Sequence, residues 1–268
     1  MRLACVVEYD GSGFLGWQTQ RQGRTVQAAL ERALGHVAAH PVAVTCAGRT
    51  DTGVHATGQV VHFDTDADRP THAWLMGTNS QLPRDTALRW VGPVAADFHA
   101  RRSARTRHYR YLIAEGPDRP ALWRDRAGWS ARPLDSAAME QAGQHFLGER
   151  DFSAFRAAAC QSRTPMRRID ALTVRRDGRW IAIDITGNAF LHNMVRIMVG
   201  TLMTVGRGER QPDWVGEVMA GGDRRLAGAT ARAEGLYFLG PEYPPACGIP
   251  SPAGAEAFPP PGRAGAAC

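Results

Sequence analysis

The sequence contains no lysine, because all 32 residues counted as Lys or Arg are arginine. This absence excludes enzymes that use a lysine Schiff base or a lysine general base, and it excludes the GxxxxGK[ST] phosphate-binding loop. With 26 Asp and Glu residues, the arginines give a formal net charge of +6. An arginine-rich surface suits bidentate contacts with phosphate groups, although a genome that favours arginine codons would produce the same composition.

Cysteine and long hydrophobic runs are also scarce. The five cysteines are widely separated and form no CxxC pair, which argues against a disulfide framework or a zinc ribbon. The N-terminus turns polar after seven residues, too early for a secretory signal. Residues 189–205 are the most apolar stretch, but His192, Asn193 and Arg196 interrupt it, so we expect no membrane span. The sequence therefore predicts a cytoplasmic protein.

Strand-like and helical patterns alternate along the chain in two groups of similar length. Asp177 and Gly178 separate two apolar runs, which indicates a β-hairpin. These patterns predict an α+β fold with largely antiparallel sheets. The helical spacing of apolar residues predicts helices near 26–37, 71–79, 135–147, 190–205, 213–220 and 224–233. We expect an N-terminal α/β module at 1–105, a C-terminal α/β module at 106–240 and a disordered tail, rich in Pro, Gly and Ala, at 241–268.

One segment, residues 46–56, combines glycines with a carboxylate in a loop between two predicted strands. Asp51 could act there as a nucleophile or a general base, and the simpler interpretation is an Asp that caps a turn. Residues 51–53 also match the aspartic-protease tripeptide. Such a protease needs two carboxylates that share a proton, and the sequence has no second Asp-Thr/Ser-Gly, so we reject that reading.

Two segments are basic and contain no acid. Residues 98–111 hold five arginines, two histidines and three aromatic residues, and residues 155–168 hold four more arginines. Arginines interleaved with aromatic rings suit a phosphate backbone with unstacked bases, and a solvated charged strand would look similar. Arg196 lies on the predicted helix 190–205, where it either pairs with a carboxylate or extends to solvent. The spacing of Cys46, His55 and His62 fits no metal-ligand pattern, so no metal site is predicted.

Residues 47–63 resemble the active-site motif of the TruA-type tRNA pseudouridine synthases. The resemblance extends in family order over residues 2–240, through blocks at 8–18, 97–101, 107–111, 160–165, 188–196 and 233–237. It implies two similar α/β modules with sheets joined centrally and helices on the outer faces. It also implies a homodimer that binds tRNA in a basic cleft, without a cofactor or a metal. Thr52 departs from the alanine common in the family, and the segment after residue 240 has no family counterpart.

The resemblance also implies a reaction, in which uridines at positions 38, 39 and 40 of the tRNA anticodon stem-loop become pseudouridines. Asp51 matches the catalytic carboxylate that attacks ribose C1′ or otherwise assists glycosidic cleavage, and Arg196 matches the arginine that pairs with it. Tyr109 matches the tyrosine that stacks on the target base, and Arg49 matches the residue that helps to flip that base out. Further tRNA contacts are expected at Arg69, Arg101, Cys160, Gln161, Ser162 and Arg163. The alternative is a non-catalytic tRNA-binding or RNA-remodelling protein on the same fold.

Overall fold

The computed structural model describes residues 1–250, and these divide into two compact units. The first unit combines Met1–Arg107 with the segment that begins at Tyr237, and the second unit is His108–Leu236. In the part of the chain that the structure describes, no helix is long and apolar enough to cross a bilayer.

The first unit is a mainly antiparallel sheet with two helices that pack against each other. Its strand order is β4-β1-β3-β10, with β2 paired to β3; β1 is antiparallel to β3 and β4, whereas β10 is parallel to β3. Its elements are β1 (Arg2–Tyr9), α1 (Val26–Ala38), β2 (Thr45–Cys46), β3 (His55–Asp64), α2 (Thr71–Gln81), β4 (Thr86–Pro93) and β10 (Leu236–Glu242).

The second unit also contains a β-sheet with helices. Its strand order is β5-β9-β8-β7, and β6 pairs in parallel with β5. Helix α4 is almost wholly buried, as its apolar composition predicts, and α3 packs against it. The elements are β5 (Thr106–Glu115), β6 (Gly128–Ser130), α3 (Ser136–Gly143), β7 (Gly148–Asp151), β8 (Met166–Asp177), β9 (Trp180–Gly187), α4 (Met194–Gly206) and α5 (Trp214–Gly221). The predicted α+β class is confirmed.

Local signals in the sequence located several elements correctly. Thr25 caps α1, because its hydroxyl accepts the Ala28 N–H at 3.4 Å. The predicted hairpin is present, since Asp177 pairs with Trp180 across a two-residue turn. The short strands β6 and β7 were not predicted, because three or four residues carry too little periodicity to be recognised.

The prediction of a helix at 224–233 is wrong. The segment contains only single 3₁₀ turns at Arg224–Leu226 and Ala233–Gly235. Its main-chain groups bond to α4 instead, as when the Ala231 N–H donates to the Arg196 carbonyl at 2.9 Å. Tertiary hydrogen bonds therefore override the helical pattern of this stretch.

The predicted helix at 190–205 begins later than expected, at Met194. Asn193 has a left-handed backbone with φ of 60°, which separates the preceding loop from the helix. His192 therefore lies outside α4, whereas Arg196 lies in its first turn.

The C-terminal end of the described chain is structured up to residue 250. Pro241 and Glu242 complete β10, and Pro245–Cys247 form a 3₁₀ turn, where the sequence predicts the beginning of a disordered tail. The rest of that predicted tail, residues 251–268, lies outside the described residues.

Candidate active site

Asp51 lies in the loop between β2 and β3, and a buried side chain holds the entry to that loop. Gln59, fully buried on β3, donates from Nε2 to the Gly48 carbonyl at 2.5 Å and accepts the Gly48 N–H at 3.4 Å. A buried amide that satisfies both main-chain groups of one residue fixes the backbone there. The loop thus leaves the sheet in a defined direction three residues before Asp51.

The residue before Asp51 is held just as firmly. The Thr50 hydroxyl is 2.8 Å from the Tyr9 hydroxyl, and the Thr50 carbonyl accepts the Trp17 N–H at 2.9 Å. After Asp51 the chain turns at once, because the Val54 N–H donates to the Asp51 carbonyl at 3.1 Å. Asp51 itself is half-buried, so a carboxylate within reach of solvent stands on a constrained backbone.

The turn after β1 packs directly on this loop, and two glycines make the approach possible. Gly16 has a φ of +87°, and a Cβ there would lie 2.8 Å from the Thr50 carbonyl oxygen. A Cβ on Gly11 would lie 2.5 Å from the Val54 carbonyl carbon and closer still to its oxygen. Both positions therefore require glycine for the two backbones to meet.

Asp10 and His55 join the same two segments through their side chains. The Asp10 carboxylate lies 3.1 Å from Nδ1 of His55, and the buried His55 ring stacks on Tyr237 with centroids 4.6 Å apart. The hydrogen bond with His55, followed by those from Ser12, holds the pKa of Asp10 well below its usual range. Asp10 therefore remains an anion and serves to hold the turn.

Arg49 and Arg101 are both exposed, and both lie close enough to the Cys46 thiol to lower its pKa. Burial outweighs them and raises the pKa of Cys46 to about 11, so this thiol is protonated near neutral pH and does not compete as a nucleophile. Residues 96–105, here called the arginine loop, carry Arg101 and two further exposed arginines, Arg102 and Arg105.

Arg69 is also exposed, but it follows the far end of β3. At about 3.3 Å per residue, the ten residues of β3 place its two ends roughly 30 Å apart. The structure therefore brings Arg49 and Arg101 to one neighbourhood of the first unit, whereas Arg69 follows the opposite end of β3.

Two neutral histidines hold the arginine loop through its main-chain amides. Nδ1 of the buried His62 accepts the Ala100 N–H at 3.1 Å. Nδ1 of His99 accepts the N–H groups of Arg101 at 3.2 Å and Arg102 at 3.3 Å. These nitrogens can accept only while the imidazoles lack the second proton.

This arrangement predicts that the protein loses stability in mild acid. Burial, and then the neighbouring His99 and Arg2, lower the pKa of His62 to about 4. An unfolded chain takes up this proton near pH 6.5, whereas the folded chain resists it until about pH 4. The contribution of neutral His62 to the free energy of unfolding is therefore complete above pH 6.5, and it falls by about 2 kcal/mol between pH 7.5 and pH 5.

Urea unfolding at the two pH values measures this loss. His62→Gln keeps an acceptor oxygen but does not titrate, so we expect its free energy of unfolding to change by about 2 kcal/mol less than that of the wild type between pH 7.5 and pH 5. Equal pH dependence in both proteins would contradict the assigned acceptor role.

In the second unit, three of the predicted site residues or segments border the connection between β9 and α4. Tyr109 on β5 is half-buried, and its ring meets that of Phe190 edge to face with centroids 4.9 Å apart. Arg196, in the first turn of α4, donates from Nε to the Ala231 carbonyl at 2.8 Å and from Nη1 to the Asn193 side-chain oxygen at 3.0 Å. Its guanidinium is thus oriented by the protein rather than extended freely into solvent.

The segment that contains Cys160, Gln161, Ser162 and Arg163 lies against the same connection. The His192 N–H approaches the Cys160 sulfur at 3.5 Å, and Arg156 donates to the carbonyls of Cys160 at 2.9 Å and Ser162 at 2.7 Å. Gln161 and Arg163 are exposed. The structure thus groups this segment with Arg196 in the second unit, and it places Asp51, Arg49 and Arg101 in the first.

Sequence reasoning missed the residues that hold the Asp51 loop in place. Gln59 carried a detectable signal, because a polar side chain in an otherwise apolar strand needs a buried partner. Asp10 and His55 carried none, since their pairing depends on the fold. Within residues 1–250, His, Cys, Asp and Glu side chains form no group of three or more that could hold a metal ion.

In comparisons with known proteins, residues of both units match the same protein family. A sequence model described as tRNA pseudouridine synthase matches residues 5–101 and 142–244. The tRNA pseudouridine synthase A of Dechloromonas aromatica is 54% identical over 252 residues, which are 94% of this chain and 96% of that protein. The tRNA pseudouridine synthase A of Vibrio cholerae is 52% identical over 250 residues, which are 93% and 95% of the two chains.

A solved structure, the crystal structure of a Cbf5-Nop10-Gar1 complex, contains a chain that is similar over 88% of this one and 48% of its own length. Their identity is 10% and the TM-score is 0.37. The family match spans both units and the curated relatives align with nearly the whole chain. This chain therefore belongs to the tRNA pseudouridine synthase family, whose members are isomerases acting on tRNA uridine.

Proposed function

We propose that the protein converts uridines at positions 38, 39 and 40 of the tRNA anticodon stem-loop to pseudouridines, with Asp51 as the nucleophile. The observation that carries the proposal is the constrained backbone of the Asp51 loop. Gln59 bonds to Gly48, and Tyr9 and the Trp17 N–H bond to Thr50. Such bracing suits a carboxylate that must meet one carbon atom of a large substrate.

The reaction is an isomerisation and needs no second substrate. The bond between uracil N1 and ribose C1′ breaks while the carboxylate assists at C1′, the freed uracil turns, and its C5 bonds to C1′. The proton on C5 then leaves and N1 gains one, so the atoms balance. Attack at C1′ to give an ester and proton removal to give a glycal both require Asp51.

A uridine in a base-paired stem reaches the carboxylate only after it leaves the stack. Arg49 lies two residues before Asp51 and is exposed, so it can contact the backbone of the extruded nucleotide. The exposed Arg101 adds a phosphate contact in the same unit. We also propose that the target base stacks on Tyr109 and that Arg196 is a second catalytic residue. Arg69 and residues 160–163 would supply further contacts with the tRNA.

The relatives named above act in bacteria, and we propose that this protein works as a homodimer in the cytoplasm. Gel filtration with light scattering tests the dimer independently of the chemistry.

The test is tritium release from a tRNA transcript labelled with [5-³H]uridine, because formation of the C5 bond expels the C5 hydrogen. We expect release from a transcript that has uridines at positions 38–40. A matched transcript with cytidines at those three positions should release none. Equal release from both would contradict the anticodon positions but retain the synthase activity. No release from either, by a protein that binds tRNA, would favour the non-catalytic alternative.

A further inference from the structure

The segment after β10 packs on the first unit, and the proposed reaction assigns it no role. The ring of Tyr243 lies against that of Phe98, with centroids 5.1 Å apart. Tyr243, Cys247 and Ile249 pack on a buried apolar cluster of Ala4, Val6, Ala47, Val60, Phe98 and Ala100. This segment is therefore an integral part of the first unit, next to the arginine loop.

Residues 242 and 243 bond to the arginine loop at Ala100, in its middle, and at its C-terminal end, Arg105 and the adjoining Thr106. The Tyr243 hydroxyl donates to the Ala100 carbonyl at 2.6 Å. The Glu242 carbonyl accepts the Arg105 N–H at 2.8 Å, and the Glu242 carboxylate accepts the Thr106 hydroxyl at 2.9 Å. The exposed arginines 101, 102 and 105 thus lie between Ala100 and Thr106, two positions that the C-terminal segment holds.

Ala100 is the firmest of these points, because side chains bond both of its main-chain groups. His62 accepts its N–H at 3.1 Å, and Tyr243 donates to its carbonyl. Burial raises the pKa of Tyr243 far above its usual value, so the hydroxyl remains a donor at any working pH. The residue just before Arg101 therefore has its orientation set by β3 on one side and by the C-terminal segment on the other.

We propose that Tyr243 and Glu242 are positioning residues for tRNA binding, which order the arginine loop before the substrate arrives. The inference rests on the proposed function, in which Arg101 contacts phosphate. A loop that is ordered in the free protein loses little conformational entropy when it binds, so its ordering lowers the Kd for tRNA. The chemical step at Asp51 does not depend on it.

The variant Tyr243→Phe tests this, because it removes one hydroxyl and keeps the ring on Phe98. Its matched control is Ser130→Ala, which removes a buried hydroxyl that donates to the Arg132 carbonyl at 2.7 Å in the second unit. Three quantities are measured on the full chain: amide hydrogen exchange of residues 101–105 without tRNA, the Kd for unmodified tRNA by filter binding, and kcat with KM.

In Tyr243→Phe we expect amide exchange at 101–105 to accelerate by about tenfold, and Kd and KM to rise by roughly fivefold, with kcat unchanged. Ser130→Ala should change none of these, although both variants should lose similar thermal stability. Unchanged exchange and Kd in Tyr243→Phe would overturn the inference, and so would a fall in kcat at constant Kd. If the wild type releases no tritium, the proposed function fails, whereas the exchange rates still decide whether Tyr243 orders the loop.

Discussion

Replacement of Asp51 by Asn is expected to lower kcat by on the order of 10⁴-fold, because an amide neither attacks C1′ nor takes up a proton there. The hydrogen bonds that fix the loop use the main chain of Asp51, Gly48 and Thr50 and the Thr50 hydroxyl, so the exchange of one oxygen for an NH₂ group leaves them intact. The Kd for tRNA should therefore stay within about threefold of the wild type, since we propose that arginines, not Asp51, contact the phosphates.

Tritium release in single-turnover reactions, together with filter binding, measures both quantities. Asp177→Asn makes the same chemical change at the exposed β8–β9 turn and should release tritium at the wild-type rate. Mass spectrometry of the variant excludes reversion by deamidation. Turnover within tenfold of the wild type would remove Asp51 from the nucleophile's role, and loss of binding in a folded variant would make it a binding residue instead.

Replacement of Gly11 by Ala is expected to lower kcat by about 100-fold without any change to a reacting group. A Cβ at this position meets the main chain of Val54 at 2.5 Å or less, so the turn that follows Asp51 must shift. A displacement of about 1 Å in a catalytic group is sufficient for a loss of this size. The same overpacking should cost about 1–3 kcal/mol of folding free energy.

Gly13→Ala is the control, because it lies in the same 3₁₀ turn and its Cβ would meet only the ends of the Arg24 and Asp85 side chains, at 3.1 and 3.6 Å. We expect kcat near the wild-type value for it. Urea unfolding at a temperature where both variants are folded separates stability from rate. If Gly11→Ala keeps kcat within threefold, the packing of the two turns does not set the position of the carboxylate.

Much of the fold could be predicted because its signals are local. A hydroxyl at Thr25 before an apolar helical pattern and an Asp-Gly pair at 177 and 178 between apolar runs each determine an element through neighbouring residues alone. The segment 224–233 shows the limit of such signals. Its composition suits a helix, but α4 offers its main chain stronger partners, and the sequence does not reveal that contact.

The candidate site likewise has a part that the sequence reveals and a part that only the fold reveals. The motif around Asp51 is visible in the sequence, and it lies within the residues that the family model matches. The bracing by Gln59, Asp10 and His55 connects residues tens of positions apart, so only the folded chain shows it. Tyr243 is the clearest case, since it bonds to Ala100 across 143 positions from a segment that the sequence assigned to a tail.

The pairing of β10 with β3 also determines when the first unit can be completed during protein synthesis. Tyr237 and Phe238 pair with His55 and Ala56, beside the Asp51 loop, although a ribosome makes them about 180 residues later. Until then the edge of β3 at His55 has no β10 strand beside it, and such an edge is open to pairing with other chains. A transcript that ends before codon 237 therefore yields a chain with every residue of the Asp51 motif but without the strand on which His55 stacks. Premature termination, even this late, should give an inactive and aggregation-prone product rather than a shortened enzyme.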